Sequence, residues 1–268
     1  MSWAEQWIVV TDLDGTLLDH HTYSWQPAEG ALRLLAEHHV PVVLCSSKTL
    51  AEMRILAEEM GLNYPLIVEN GAAVAWPEGD DFRVEPLGRS RQEVIDEAHR
   101  LRRDGGYQFS GFADWSVADV VERSALAQES AALSLQRHGT EPIIWDGDEA
   151  SYEKFVDALA LKRIRAVRGG RFIHLMGFFD KADGMKMVCE HFAKLRNCSM
   201  KALAFGDSPN DAQMLNAADV AVRIRSAQSN DMNLQSTRLI EPQEPGPTGW
   251  AVALSEWWQA KGEIPIKE

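Results

Sequence analysis

The chain has 268 residues, 45% hydrophobic and 25% charged, with a formal net charge of -13, a composition that builds one large domain or two modest ones with a full core. The charge opposes general binding to nucleic acid or to an anionic membrane surface, so an anionic ligand must meet a local patch of positive charge. Three cysteines (Cys45, Cys189, Cys198) without a C-x-x-C pair suit a reducing cytoplasm, and neither export nor a membrane span is expected. There is no basic segment ahead of a long apolar stretch at the N-terminus, and no run reaches the roughly 18 apolar residues of a spanning helix.

The apolar run Ile8, Val9, Val10 predicts a first strand. Helical spacing of Ala28, Ala31, Leu32, Leu34 and Leu35 predicts a helix over 27–39, and Val40 to Ser47 reads as a buried strand. A second helix, capped near Thr49 and stopped at Gly61, leads to a strand over 65–71. Strands alternating with helices predict a doubly wound α/β core with a mainly parallel sheet, whose ligands sit at the carboxyl ends of the strands, where Asp12, Ser46 and Asn70 fall. The turn-rich stretch 76–81 marks a change of texture. Beyond it come a charged helix over 90–103, one or two Ala-rich helices over 117–137, a helix over 152–160, and short strands at 142–145 and 171–175. Together these predict an inserted α+β domain over 84–177, with 1–83 and 178–268 forming the core. The core style then returns: a helix over 184–195, a strand over 202–205, a helix over 211–216, a strand over 220–222, a Pro/Gly-rich loop over 241–249 and a closing helix over 250–258.

Four stretches are candidates to carry the chemistry. Asp12 and Asp14, two apart at a strand's end, point the same way into a glycine turn, an arrangement that is costly unless a cation or a shared proton relieves it. An Asp-rich turn is the plain alternative. Asp207 and Asp211, in G-D-S-P-N-D at 206–211, add two carboxylates at a second strand end, and hard oxygen donors of this kind suit Mg²⁺. A calcium loop is disfavoured because the acids do not alternate over twelve residues to a terminal Glu. The hydroxyls and lysine of Cys45-Ser-Ser-Lys-Thr49 follow a strand and suit phosphate oxygens, although Thr49 also reads as a helix cap. Arg168-Gly-Gly-Arg171 combines glycines that can bare backbone N–H groups with an arginine that can fork onto a carboxylate.

D-L-D-G-T-L-L at 12–18 resembles the first signature of the haloacid dehalogenase superfamily of phosphoryl-transfer enzymes. Ser46 matches its second motif, Lys181 the lysine that follows, and G-D-S-P-N-D the last, in the superfamily's order. Lys186 competes for the lysine position, but Asp180-Lys181 lies at the junction of insertion and core. The resemblance implies Asp12 as nucleophile, Asp14 as general acid and base, and Ser46 with Lys181 on the transferring oxygens. It also implies Mg²⁺ on Asp12, Asp207, the backbone carbonyl of Asp14 and, through water, Asp211. Within the superfamily the chain resembles the mannosyl-3-phosphoglycerate phosphatase family at C-S-S-K-T (45–49), E-N-G-A (69–72), R-x-x-T-E-P-I (137–143), G-G-R-F-I-H (169–174) and G-P-T-G-W (246–250). The match departs at Thr140, where the family pattern has Ser, and at His138-Gly139. This second resemblance implies a small phosphorylated sugar-glycerate substrate held by Ser47, Lys48, Asn70, Gly71, Arg137, Glu141, Gly169, Gly170, Arg171 and Asn210, under a cap that excludes water. Hydrolysis of another sugar phosphate, a sugar phosphomutase and a non-catalytic sugar-phosphate binder are the alternatives.

Overall fold

The computed structural model describes residues 3–169, 171–236 and 238–262. Its elements in chain order are β1 (Trp7–Thr11), α1 (Glu29–Glu37), β2 (Val42–Leu44), α2 (Leu50–Glu59), β3 (Leu66–Val68), β4 (Ala73–Glu78), β5 (Asp81–Pro86), α3 (Arg91–Gly105), β6 (Phe109–Gly111), α4 (Val117–Ser124) and α5 (Gln128–Ser134). They continue with β7 (Thr140–Trp145), α6 (Glu149–Ala160), β8 (Arg165–Arg168), β9 (Ile173–Met176), α7 (Lys181–Arg196), β10 (Lys201–Gly206), α8 (Ala212–Ala217), β11 (Val220–Arg223), β12 (Leu239–Ile240) and α9 (Gly246–Gly262). Internal contacts divide them into two units. The first takes the chain through Ser46, Tyr64–Leu66 and everything from Lys181; the second takes 47–63 and 67–180.

The first unit is a five-stranded parallel sheet in the order β12-β11-β10-β1-β2, accompanied by α1, α7, α8 and α9. Every residue of β1 is buried, as is all of β10 after Lys201. Near-continuous apolar strands of this kind belong to parallel sheets covered on both faces. Strand order reverses between β1 and β10: the chain steps outward from β1 to β2, then returns on the other side of β1. The two strands pair in register, Thr11 opposite Phe205. In open α/β sheets such a reversal opens a crevice at the carboxyl ends of the strands. Trp250 of α9 fixes this edge, donating its indole N–H to Thr11 Oγ1 at 3.0 Å and stacking on Phe205 with ring centroids 4.7 Å apart.

The second unit is α+β. Its four-stranded sheet, β6-β7-β9-β8, is antiparallel throughout. One face carries Ile143, Ile173, Leu175 and Ala166 into a core with Val94 and Ala98 of α3 and Phe155 and Leu159 of α6. The turn-rich stretch 76–81 proves to be the tip of the β4–β5 hairpin, in which Trp76 pairs with Arg83, so a boundary after Arg83 falls inside β5. α2 also belongs to the second unit: Thr49 closes a capping box with Glu52 and donates Oγ1–H to Leu133 O at 3.0 Å. No helix among the described residues is long and apolar enough to cross a membrane.

Candidate active site

Three neighbouring strands of the first unit deliver the site. Past the end of β1, Asp12 N–H donates to Phe205 O at 3.0 Å, which sets Asp12 beside the β10 terminus and hence beside Asp207. On the other flank Cys45 N–H donates to Thr11 O at 2.8 Å, and the buried Ser46 follows. Lys181 is the first residue of α7, three residues earlier than the sequence pattern suggests, and is 1% exposed, whereas the competing Lys186 is exposed. Its Nζ donates to Asp12 Oδ1 and to Asp211 Oδ1, each at 2.6 Å.

Asp211 has two tasks. While Oδ1 holds Lys181, Oδ2 accepts from the backbone N–H groups of Asp207 (3.0 Å) and Ser208 (3.1 Å), closing the 206–211 turn around itself. Asn210, on the same turn, is exposed and accepts from Ser208 Oγ at 2.5 Å. Asp207 receives Thr16 Oγ1–H at 3.4 Å, and its backbone carbonyl accepts from Ser226 Oγ at 2.7 Å. Neither Thr16 nor Ser226 is a charged group, and Ser226 belongs to no motif, so sequence reasoning did not single them out as supports. Gly15 sits at φ +79°, and a Cβ there would lie 2.7 Å from Asp207 Oδ2; only glycine lets the D-L-D-G turn approach that carboxylate. Asp14, on the same turn, is partly buried and close enough to Asp12 to act on its charge.

Carboxylate oxygens of Asp12, Asp207 and Asp211 lie within 4.8 Å of one another, all three residues buried. Burial pushes the Asp12 carboxyl up, with Asp211 and Asp14 adding to the rise against the pull of Lys181. Burial, then Asp211, lifts Asp207 to about 6. Lys181 is held firmly protonated, because Asp12 and Asp211 outweigh the cost of its burial. One lysine against this many acids leaves carboxyl groups whose ionisation a cation would restore, and they are hard oxygen donors, the donor set that fits Mg²⁺.

The remaining sequence candidates lie in the second unit, apart from Gly170, which falls outside the described residues. Ser47 and Lys48 begin the unit, and Lys48 O accepts Glu69 N–H at 3.0 Å. Asn70 and Gly71 follow Glu69 in an unbroken left-handed run, φ 52°, 58° and 94°. Arg137 has a 6% exposed side chain and donates Nη1–H to Thr140 Oγ1 at 2.7 Å. Glu141 and Gly169 have partners within the protein. In a strand successive side chains point to opposite faces, so Glu141 turns toward α3, where it binds Arg91 (Nη2 at 2.8 Å) and accepts Ala113 N–H at 2.6 Å. Gly169 does not bare its N–H, which donates to Phe172 O at 2.8 Å. Arg171 is exposed.

Glu69 and His174 lie inside quoted motifs yet were not read as site residues. Burial alone would raise Glu69, but hydrogen bonds from His138, the charge of Arg137 and the Thr140 hydroxyl hold it at about 2. Burial, reinforced by Arg137, pushes His174 down to about 4 from an ordinary 6.5. The unfolded chain takes up that proton near pH 6.5 and the folded unit resists it until about pH 4, so stability is full above pH 6.5 and falls as pH drops through this window. With allowance for its partial exposure, the loss is about 2 kcal/mol. Unfolding free energies of the wild type and of His174→Gln across the window check this: the variant should keep what the wild type loses, and parallel curves would remove His174 as the cause.

Fold and site define an α/β protein with a buried carboxylate–lysine centre at the carboxyl edge of its parallel sheet. The chain belongs to the haloacid dehalogenase-like hydrolases, whose family model matches residues 9–233. Among solved structures it is similar to a HAD superfamily phosphatase from Bacteroides thetaiotaomicron (17% identity, TM-score 0.68, covering 98% of this chain and 97% of that one). A haloacid dehalogenase-like hydrolase from the same organism gives 18% identity and TM-score 0.67, covering 93% and 98%. A HAD subclass IIB sugar phosphatase gives 16% and 0.64, covering 96% and 99%. These likenesses establish the shared fold.

Proposed function

We propose that the protein is a Mg²⁺-dependent phosphomonoesterase that works through an aspartyl-phosphate on Asp12, with mannosyl-3-phosphoglycerate as substrate. The observation that carries the chemistry is the buried Lys181 clamped between Asp12 and Asp211 with Asp207 alongside. Asp12 attacks phosphorus in line, its oxygen forming the new P–O bond as the ester oxygen leaves. Asp14 gives that oxygen its proton and then takes one from the water that hydrolyses the phospho-aspartate. Lys181 and Ser46 hold the phosphoryl oxygens as charge redistributes. Asp12, Asp207, Asp211 and the Asp14 carbonyl would hold Mg²⁺, which supplies Lewis-acid neutralisation between nucleophile and phosphate. Contacts to the leaving group are assigned to the cations of the quoted motifs, Arg137 and Arg171.

The substrate is the narrower part of the reading and rests on the motif resemblance at 45–49, 69–72, 137–143 and 169–174. A phosphate-release screen tests it: mannosyl-3-phosphoglycerate should outrun hexose phosphates that lack a carboxylate, and the reverse order would contradict the assignment. Free phosphate should appear without a bisphosphate activator, which separates hydrolysis from mutase chemistry. Chelation should abolish turnover and Mg²⁺ restore it, while Ca²⁺, larger and looser in geometry, should substitute poorly. Full activity in excess chelator would remove the metal from the mechanism.

A further inference from the structure

Glu69, Asn70 and Gly71 form three consecutive left-handed residues, the first two with side chains that make this conformation costly by about 1 kcal/mol or more each. Such strain persists where the surroundings over-determine it. Here the Glu69 carboxylate is the fixing element. It is fully buried and accepts from the backbone N–H groups of His138 (2.6 Å), Gly139 (3.3 Å) and Thr140 (3.0 Å) and from Thr140 Oγ1 (2.6 Å). The 137–140 turn is thereby wrapped around one side chain, and a Cβ at Gly139 would come 2.8 Å from Ala72 Cβ, so glycine is what lets the turn close on the 69–72 segment.

The consequence falls on Arg137. With its proton committed to Glu69, Thr140 Oγ1 has only lone pairs left, and it accepts Arg137 Nη1–H at 2.7 Å. Glu69 Oε2 lies 3.8 Å from the same Nη1, and the guanidinium stands over the Phe112 ring at 5.6 Å. Nη1 is thus anchored, while the other edge is not: Nε is buried and has no hydrogen-bond partner, and Nη2 has none among the described residues. Nε and Nη2 are the pair of parallel donors that fork onto a carboxylate. A buried donor left unmade costs about 1–3 kcal/mol, which an incoming oxyanion would recover. His174 lies on the same face of the sheet as Thr140, since it pairs with Pro142, two residues on. Its imidazole stays neutral at ordinary pH and adds no competing charge.

We propose that Glu69 is a positioning residue which, through Thr140, holds the Nε–Nη2 edge of Arg137 ready to fork onto a substrate carboxylate. The inference rests on the carboxylate-bearing substrate proposed above. It is tested with two competitive inhibitors of p-nitrophenyl phosphate hydrolysis, mannosylglycerate and inorganic phosphate, on the wild type, Glu69→Gln, Thr140→Val and Thr140→Ser. Thr140→Val, close to isosteric, should weaken inhibition by mannosylglycerate about tenfold, the loss of one charge-assisted contact geometry. Its effect on inorganic phosphate should be several-fold smaller, and Thr140→Ser, which keeps the hydroxyl, should restore the wild-type value. Glu69→Gln should follow Thr140→Val wherever it remains folded. Native mannosylglycerate inhibition in a folded Thr140→Val, or equal losses for both inhibitors, would overturn the positioning role. A wild-type enzyme that mannosylglycerate fails to inhibit would overturn the substrate reading itself, and the inference with it.

Discussion

Replacing Asp12 by asparagine is expected to lower kcat by about ten-thousand-fold while the protein still folds, the scale seen when a covalent nucleophile is removed. An amide is a poor nucleophile and a poorer ligand for a hard cation, so both roles proposed for this position disappear together. The fold should survive because Lys181 keeps its second partner, Asp211, at 2.6 Å, and because Asp12 is fixed to the sheet by its backbone N–H. Steady-state kinetics together with thermal unfolding check the result. Near-native turnover in Asp12→Asn would dismiss the covalent mechanism, whereas loss of turnover with loss of the fold would move Asp12 to a structural role.

Lys181→Met should produce the largest combined effect on stability and activity. The substitution keeps the aliphatic stem and deletes the only cation bonded to Asp12 and Asp211 among the described residues. Breaking a buried ion pair from one side leaves uncompensated charge, typically 3–5 kcal/mol of destabilisation. In a chain of this size that is a drop of roughly 10 °C in melting temperature. Turnover should fall with it, since the phosphoryl oxygens lose the lysine proposed to hold them. Added Mg²⁺ should raise the melting temperature of the variant more than that of the wild type, because the unpaired carboxylates gain most from a cation. An unchanged melting temperature in Lys181→Met would mean that the buried pairs contribute no net stability.

Both ends of the carboxylate–lysine cluster were legible because strand ends are local signals: an apolar run into D-L-D-G-T, and a second into G-D-S-P-N-D, place four acids where a parallel sheet gathers ligands. Lys181 was not legible in that way. Nothing around it distinguishes a buried lysine from a solvated one, and only its place in the motif order pointed to it; the structure adds that it opens α7 with its side chain turned inward. The second unit shows what sequence pattern misses. Glu69 finds its partners about seventy residues away, at 138–140, and no periodicity encodes a pairing at that separation. The partner of Glu141 was equally hidden: period-two alternation sets it on the opposite face from Thr140, but only the fold brings Arg91 to that face. The β4–β5 hairpin hid behind Pro77, Gly79 and two aspartates, which read as a break between domains but form the tip and edge of a two-stranded ladder. β6, with three residues, and β8, with four, are too short to register as strands without their neighbours.

The covalent step is open to direct observation. The wild-type enzyme, mixed with the phosphate ester it turns over fastest and quenched in acid during the first turnover, should release a burst of leaving group close to one per active site. Peptide mapping should then find the phosphoryl group on Asp12, removable by hydroxylamine as an acyl phosphate is. Rapid turnover with no burst and no phosphorylated Asp12, or a phosphoryl group mapped to any other side chain, would contradict the mechanism.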